Sequence, residues 1–297
     1  MTTASTLQPS SQRTKKEPAL DAAGLTHPGR HRPKNEDSYL IATLQRSMLV
    51  HDASPSARGW FAGDSAGTML IVADGMGGQG GGDIASRVAV GAVVNHLLNC
   101  MPWVTGKNVK STSAARSSLT GVRDQLSTAL AAGDSTVRFT GAQTGTPQMG
   151  TTLTMALVLD SIAYIAHVGD SRGYLLHEGQ LRLLTHDHTL AQRLTDESAE
   201  AVAPESNLHH ILWNALGATQ DLPQPEIQKL TLEPGDVLLL CSDGLTRHVT
   251  DAQLETILRA QVPARERCAM LVESANQGGG LDNITAVVAQ TRALKPV

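Results

Sequence analysis

Short apolar runs bounded by glycine, aspartate, asparagine or serine recur along the chain after residue 20. Their length, roughly 4–8 residues, and their content of valine, isoleucine and threonine are typical of β-strands. The predicted strands are 37–43, 68–73, 152–159, 162–168, 173–177, 237–242 and 284–290. Only Asp160 and Ser161 separate 152–159 from 162–168, which is the spacing of a hairpin.

Between these runs, apolar residues return at helical spacing. The predicted helices are 83–99, 113–132, 254–259 and 264–275, and the predicted surface loops are 101–112 and 133–148. Antiparallel strands with helices between them, without a regular strand–helix–strand alternation, predict an α+β layered fold. Residues 1–19 are rich in Ser, Thr, Gln, Lys and Pro, which predicts a disordered tail. No linker divides the remainder, so residues 20–295 are predicted to form a single domain.

Composition narrows the class of protein. Apolar residues make up 41% of the 297 residues and aromatic residues only 3%, so aliphatic side chains must fill the core. A net charge of −4 without a basic block argues against a nucleic-acid partner. No apolar segment reaches the ~18–20 residues that span a bilayer, so no membrane association is expected. Cys100, Cys241 and Cys268 match no zinc or disulfide spacing, and we expect buried, reduced thiols in a cytoplasmic protein.

Four aspartates stand where an apolar run meets a turn. Asp74 and Asp243 each follow such a run and precede a glycine, while Asp37 and Asp282 each open one. A carboxylate at the mouth of a buried strand is unfavourable unless its charge is compensated, and converging acids repel one another. A divalent cation relieves both problems, so the pattern predicts a two-metal hydrolase.

Three other patterns suggest different chemistry. The glycines at 75–80 fit G-x-G-x-x-G, but Asp74 would repel a dinucleotide pyrophosphate and no acid-ending strand follows at the required distance. Cys241 and Arg247 fit the C-x-x-x-x-x-R pattern of cysteine-dependent phosphatases, although Asp243 would lie inside the phosphate cradle and a core thiol is the simpler interpretation. The segment 186–188, H-D-H, is either a metal cluster or, as we favour, a set of hydrogen-bonding loop residues.

Eight motifs in a fixed order extend over nearly the whole chain. They are R-P-K-N-E-D at 32–37, A-D-G-M-G-G at 73–78, G-T-T at 150–152, V-G-D-S-R at 168–172, L-T-H-D-H-T at 184–189, N-A-L-G at 214–217, S-D-G-L at 242–245 and D-N-I-T at 282–285. Taken together they resemble the metal-dependent protein phosphatases, the type 2C serine/threonine phosphatases, in their bacterial form. The resemblance implies a central β-sandwich of two antiparallel sheets flanked by helices, in four layers α/β/β/α.

The resemblance also implies a role for individual residues. Asp37, Asp74, Asp243 and Asp282 match the carboxylates that hold two Mn²⁺ or Mg²⁺ ions, and Gly75 matches a residue whose carbonyl is a ligand.

Three further residues match positions around that centre. Glu36 matches an outer acid that holds metal-bound water, and Arg32 matches the arginine that grips the substrate phosphate. Asp170, together with Asp243, matches a third and weaker ion site; a turn aspartate between two strands is the other interpretation of Asp170.

The chemistry that these residue types permit is hydrolysis of a phosphomonoester. Oxygen-only ligands favour Mg²⁺ or Mn²⁺ over zinc, and two such ions lower the pKa of water toward ~7. A guanidinium can hold two phosphate oxygens at once, which suits Arg32 to the substrate. Together with the resemblance, which implies the protein substrate, this chemistry leads us to expect a protein serine/threonine phosphatase in which a hydroxide bridging two metals attacks directly. By analogy, the expected partners are phosphorylated proteins, including a serine/threonine kinase or its targets, and the expected state is a monomer.

Several positions depart from the family pattern. Met76 stands where animal members carry a histidine general acid, and Gln79 stands where bacterial members often carry histidine. The segment 190–210 covers the family's flap but lacks its usual pattern, and 46–67 and 103–113 are long insertions. Two alternatives stay open: a phosphatase-fold binding module with little activity, and a two-metal hydrolase of small phosphoesters.

Overall fold

The structure is a computed structural model that describes residues 20–50, 59–77, 81–100, 114–198, 201–203, 206–218 and 221–292. Its strands, in chain order, are β1 (Leu20–His27), β2 (Asp37–Val50), β3 (Gly59–Met76), β4 (Gly150–Thr151), β5 (Leu153–Leu159), β6 (Ile162–Val168), β7 (Arg172–His177), β8 (Gln180–Leu183), β9 (Glu226–Thr231), β10 (Val237–Cys241) and β11 (Ile284–Thr291). Its helices are α1 (Gly82–Cys100), α2 (Ala114–Thr144), α3 (Leu190–Ser198), α4 (Asp243–Thr246), α5 (Asp251–Arg259) and α6 (Ala264–Gln277), with a 3₁₀ helix at Asn207–His210.

Two antiparallel sheets form the centre of the fold. One sheet has the order β1-β11-β10-β7-β8, and the other has the order β2-β3-β5-β6-β9, with β4 paired to the end of β3. β1 and β11 are the first and last strands of the described chain. They pair along their full length, from Leu20↔Thr291 to His27↔Ile284.

Alternation along the strands builds four layers. In β3, Met69 and Ile71 face the core shared with α1 and α2, while Leu70 and Val72 face the core between the sheets. The residues of β10 alternate in the same way, between a core shared with α5 and α6 on the opposite side of the molecule and the core between the sheets. Because both faces of these strands are buried, the sequence shows continuous apolar runs instead of polar–apolar alternation. The predicted α/β/β/α sandwich is confirmed.

One prediction of a loop was wrong. The segment 133–148 was predicted to be a surface loop, but α2 continues to Thr144. Its hydroxyl side chains donate to backbone carbonyls four residues earlier, as Thr136 does to Ala132 at 2.7 Å and Thr140 to Thr136 at 2.8 Å. Asp134 also accepts from Arg138 at 2.8 Å one turn later. These local bonds satisfy the polar side chains within the helix, so a polar sequence is compatible with it.

Part of the insertion at 46–67 is regular structure. The β2–β3 ladder continues to the pair Val50↔Gly59, with register shifts near Gln45, so the insertion lengthens a hairpin. The rest of that insertion at 51–58, the predicted loop at 101–112, the second insertion at 103–113 and the predicted tail at 1–19 lie outside the described residues. Among the helices that the structure describes, none has the length and apolar character needed to cross a membrane.

Candidate metal centre

Asp37 and Asp74 are brought together by strand register. The two residues are directly paired across the antiparallel β2–β3 ladder. Residues paired in this way project from the same face of the sheet, with their Cβ atoms about 4.5–5.5 Å apart. Thr152 holds the backbone of Asp74: its amide donates to the Asp74 carbonyl at 2.9 Å, and its hydroxyl accepts from the Asp74 amide at 3.0 Å. The predicted convergence of these two acids therefore has a simple structural cause.

The other two acids come from the second sheet. Asp243 is the first residue of α4, directly after β10, and Asp282 lies just before β11. Two hydroxyls from this sheet donate to the carboxylate of Asp37 in the first sheet: Ser242 at 2.8 Å and Thr285 at 2.6 Å, both to Oδ2. The two sheets are thus joined at Asp37, and all four acids lie at one end of the sandwich.

The acids at this end of the sandwich are buried close to one another, which makes their negative charges unfavourable. Within the described part of the chain, Asp37 Oδ1 and Asp243 Oδ1 are buried without a hydrogen-bond partner. Burial raises the pKa of Asp37 to about 7, against the lowering effect of the hydroxyls of Thr285 and Ser242. Burial, then the charge of Asp37, raises the pKa of Asp74 well above its ordinary value. Burial also raises the pKa of Asp243, against the charge of Arg247, which lowers it. Orphaned carboxylate oxygens and mutual repulsion fit a site for divalent metal ions.

Two arginines balance part of this charge. Arg32 Nη2 lies 2.8 Å from Asp282 Oδ2, and Arg247 Nη1 lies 3.2 Å from the same oxygen. Arg247 Nη2 also pairs with Asp243 Oδ2. Among the described residues, no three acidic, histidine or cysteine side chains stand in a ready-made metal-binding arrangement. The side chain of Asp282 is turned toward the two guanidinium groups, which both contact its Oδ2.

The backbone around Gly75 leaves no room for a side chain. A Cβ at Gly75 would lie 2.0 Å from the carbonyl oxygen of Gly82 and 2.6 Å from that of Glu36. The Gly75 amide donates to the Glu36 carbonyl at 3.2 Å, and the Glu36 amide donates to Asn283 Oδ1 at 2.8 Å. Burial raises the pKa of Glu36, while Lys34 lowers it. The predicted outer acid is thereby held beside Gly75 and next to the segment that carries Asp282.

Asp170 lies close enough to Asp243 for their charges to interact. Burial raises the pKa of Asp170 well above its ordinary value, and the charge of Asp243 is the next cause. The turn before it places Gly169 at φ +112°, in the region that favours glycine. The Gly169 amide donates to His188 Nδ1 at 3.0 Å, so the loop at 186–188 supports this turn.

The segment 186–188 acts as hydrogen-bonding structure, as we favoured. Asp187 accepts three hydrogen bonds of 2.9, 3.2 and 2.7 Å from Arg172, and His186 contacts Asp196 at 3.0 Å. His188 stacks on His167 with ring centroids 4.9 Å apart. Burial lowers the pKa of His188 to about 3, so its imidazole is neutral and can accept.

The cysteines do not support thiol chemistry. Cys241 is fully buried in β10, and burial raises its pKa to about 12, so the reactive thiolate is disfavoured. Cys268 is also buried, as expected, but Cys100 is partly exposed, which corrects the expectation of three buried thiols. Cys100 follows the last apolar turn of α1 and therefore lies at the edge of the core.

Arg247 and His210 belong to the same end of the sandwich, and sequence reasoning assigned neither to it. Arg247 Nη2 lies 3.0 Å from His210 Nδ1. The signal for Arg247 was its place four residues after Asp243, because residues at this spacing are neighbours on a helix. No local pattern marks His210, which reaches the site only through the path of the flap segment.

Four layers with acids from both sheets at one end have the architecture of a metal-dependent phosphatase. The chain belongs to the protein phosphatase 2C family: the family model with the description "Protein phosphatase 2C" matches residues 45–276. Arg32, Asp37 and Asp282 lie outside that range, and the tertiary structure places them with Asp74 and Asp243.

Relatives and solved structures agree with this assignment. The chain is 34% identical to the serine/threonine phosphatase stp of Listeria monocytogenes, over 75% of this chain and 84% of that protein. It is 34% identical to the protein phosphatase PhpP of Streptococcus pneumoniae, over 74% and 85%.

Two crystal structures resemble the fold over nearly all of both chains. The Mycobacterium tuberculosis serine/threonine phosphatase PstP/Ppp has a TM-score of 0.69 at 29% identity, over 92% of this chain and 99% of that one. The catalytic domain of PstP in complex with two manganese ions has a TM-score of 0.68 at 29% identity, over 92% and 99%.

Proposed function

We propose that this chain is a protein serine/threonine phosphatase that uses two Mn²⁺ or Mg²⁺ ions to hydrolyse phosphoserine and phosphothreonine. Asp37, Asp74, Asp243 and Asp282 would hold the ions through carboxylate oxygens, with the carbonyl of Gly75. The observation that carries the proposal is the convergence of four carboxylates from both sheets, with buried oxygens of Asp37 and Asp243 left without partners in the described residues. The names of the relatives and the manganese-bound neighbour support the same chemistry.

When bound, the ions supply the charge that offsets a phosphate dianion and lowers the pKa of water toward ~7. The protein's own residues orient the metal-binding oxygens and bind the substrate phosphate. Ser242 and Thr285 fix one oxygen of Asp37, so its other oxygen is directed to the centre. Arg32 is half exposed and already donates to an anionic oxygen, that of Asp282, so a substrate phosphate can compete for the same donors. Glu36 would serve as the outer acid that holds metal-bound water at the edge of the site.

The proposal includes three further assignments. Asp170, with Asp243, would hold a third and weaker ion, since the two carboxylates raise each other's energy when both are charged. Residues 20–295 would form one catalytic domain, supported by the β1–β11 ladder that ties its two ends together. The protein would be a cytoplasmic monomer that acts on phosphorylated proteins, including a serine/threonine kinase or its targets, without a nucleic-acid or membrane partner.

The test is hydrolysis of a phosphothreonine peptide and of p-nitrophenyl phosphate with and without Mn²⁺. We expect activity that EDTA abolishes and iodoacetamide spares, because the site uses acids and Cys241 is buried. Asp243→Asn should lower kcat/KM by at least about 100-fold, a loss typical of removing a group that acts in the transition state. Asp124→Asn, an exposed acid on α2, is the matched control and should keep full activity.

The results separate the open alternatives. Hydrolysis of p-nitrophenyl phosphate without the phosphopeptide would favour a small-phosphoester hydrolase. No hydrolysis of either substrate at saturating Mn²⁺, with manganese bound, would favour a binding module. Full activity of Asp243→Asn would contradict the proposed metal centre.

A further inference from the structure

Arg247 occupies a fixed place at the mouth of the metal centre. It follows Thr246, one helical turn after Asp243, and its amide donates to the Asp243 carbonyl at 2.9 Å. Its side chain is 34% exposed, so the guanidinium is reachable from solvent. The backbone thus presents a cation beside the acids at a position set by the helix.

Two guanidinium groups converge on one anionic oxygen. Asp282 Oδ2 accepts a hydrogen bond of 2.8 Å from Arg32 Nη2 and one of 3.2 Å from Arg247 Nη1. The two arginines come from distant parts of the chain, one from the loop before β2 and the other from the end of α4. A carboxylate oxygen and a phosphate oxygen are acceptors of the same kind for a guanidinium. The two side chains are therefore aimed at a place where an anionic oxygen is bound.

From this convergence we propose that Arg247 is a second phosphate-binding residue of this site, which brackets the substrate phosphate opposite Arg32. The inference rests on the proposed function, since it assigns Arg247 to the phosphoserine or phosphothreonine that this function requires. Cation binding and Arg247 draw on the same carboxylates, Asp243 and Asp282. Metal loading would thus leave the guanidinium donors of Arg247 for substrate oxygens.

His210 is the residue on which an alternative explanation depends, in which Arg247 only holds the flap in place. It ends the 3₁₀ helix of the flap, and its Nδ1 accepts from Arg247 Nη2 at 3.0 Å. The next residue, Ile211, accepts from the Leu190 amide at 2.8 Å, which ties this point to the start of α3. If Arg247 only fastened the flap, loss of His210 and loss of Arg247 would have the same effect. If Arg247 binds phosphate, loss of His210 leaves the charge in place.

The experiment compares wild type, Arg247→Gln, Arg247→Lys and His210→Ala, with Arg259→Gln as the control. Arg259 pairs with Glu255 and Gly179 on the outer face of α5, away from the acids. Each manganese-loaded protein is assayed for kcat and KM on a phosphothreonine peptide, and for the Kd of inorganic phosphate by calorimetry. Bound manganese per chain is measured in parallel.

Arg247→Gln should raise both KM and the phosphate Kd by about 10- to 100-fold, the range for loss of a charged hydrogen bond. Arg247→Lys should recover part of the affinity, because lysine keeps the charge but not the planar fork. His210→Ala should change the phosphate Kd much less, and Arg259→Gln not at all.

Three results would overturn the assignment. The first is an unchanged phosphate Kd in Arg247→Gln. The second is an equal effect of His210→Ala, which would make Arg247 a fastener of the flap. The third is a loss of bound manganese in Arg247→Gln, which would make the weaker phosphate binding a consequence of the lost metal. Inactivity of the wild type toward the peptide would instead refute the proposed function itself.

Discussion

Replacing Asp37 by asparagine should stabilise the metal-free protein and abolish its stabilisation by Mn²⁺. The substitution keeps the size of the side chain and an oxygen that accepts from Ser242 and Thr285. It removes a buried negative charge that lies directly across the ladder from Asp74. The same change is therefore favourable without metal and unfavourable for metal binding.

The magnitude follows from the pKa of Asp37. Burial raises this pKa from 3.8 to about 7 in the folded state. The folded protein then binds the proton more tightly than the unfolded chain, so stability is lost as the pH rises from about 4 through about 7. A difference of about three pH units, at about 1.4 kcal/mol each, gives about 4 kcal/mol of destabilisation at pH 8.5. Asparagine should recover up to that amount at pH 8.5 and about half of it at pH 5.5.

The assay is urea unfolding in EDTA at both pH values, followed by thermal unfolding with Mn²⁺. Mn²⁺ at about 100 times its Kd should stabilise wild type by about 2.7 kcal/mol and Asp37→Asn by far less. Asp124→Asn, with an exposed carboxylate, should change the free energy of unfolding by less than about 0.5 kcal/mol at either pH. A metal-free Asp37→Asn protein less stable than wild type at pH 8.5 would refute the charge argument. Equal stabilisation of both proteins by Mn²⁺ would remove Asp37 from the metal site.

Three further outcomes are expected. Gly75→Ala should prevent folding or remove activity, because its Cβ would lie 2.0 Å from the Gly82 carbonyl oxygen. The control Gly91→Ala, on α1 with open space around it, should be neutral or stabilising by up to about 1 kcal/mol. Equal urea midpoints for the two variants would contradict this expectation. Burial lowers the pKa of His167 to about 4, so the unfolded chain binds its proton first as the pH falls below 6.5, and stability drops from there toward pH 4. His167→Gln should therefore reduce the loss of unfolding free energy between pH 7.5 and pH 5 by roughly 2 kcal/mol, and an unchanged pH dependence by urea titration would argue against a buried neutral imidazole. Mass spectrometry after iodoacetamide treatment of the native protein should find Cys241 unmodified until urea unfolds the chain; rapid native labelling would show that β10 opens locally.

Errors in the predicted elements share a physical origin. The central strands, such as β5 and β10, were predicted because both of their faces are buried and almost every residue is apolar. The edge strands β8 and β9 carry polar residues toward solvent, so no apolar run marked them. The C-terminal half of α2 was missed because its threonine hydroxyls bond to the helix's own carbonyls, an arrangement that composition does not reveal.

The sequence by itself determined the apolar runs and the acids at their ends, because the residue types along the chain set where apolar side chains and charges occur. It thereby predicted the layered class of fold and a two-metal site. Only the tertiary structure decided which acids meet: register pairs Asp37 with Asp74, and hydroxyls from the second sheet reach Asp37 across the sandwich. Only the tertiary structure brought Arg247 to the oxygen that Arg32 also contacts. Contacts between residues distant in sequence depend on how layers pack, and no periodicity along the chain encodes that packing.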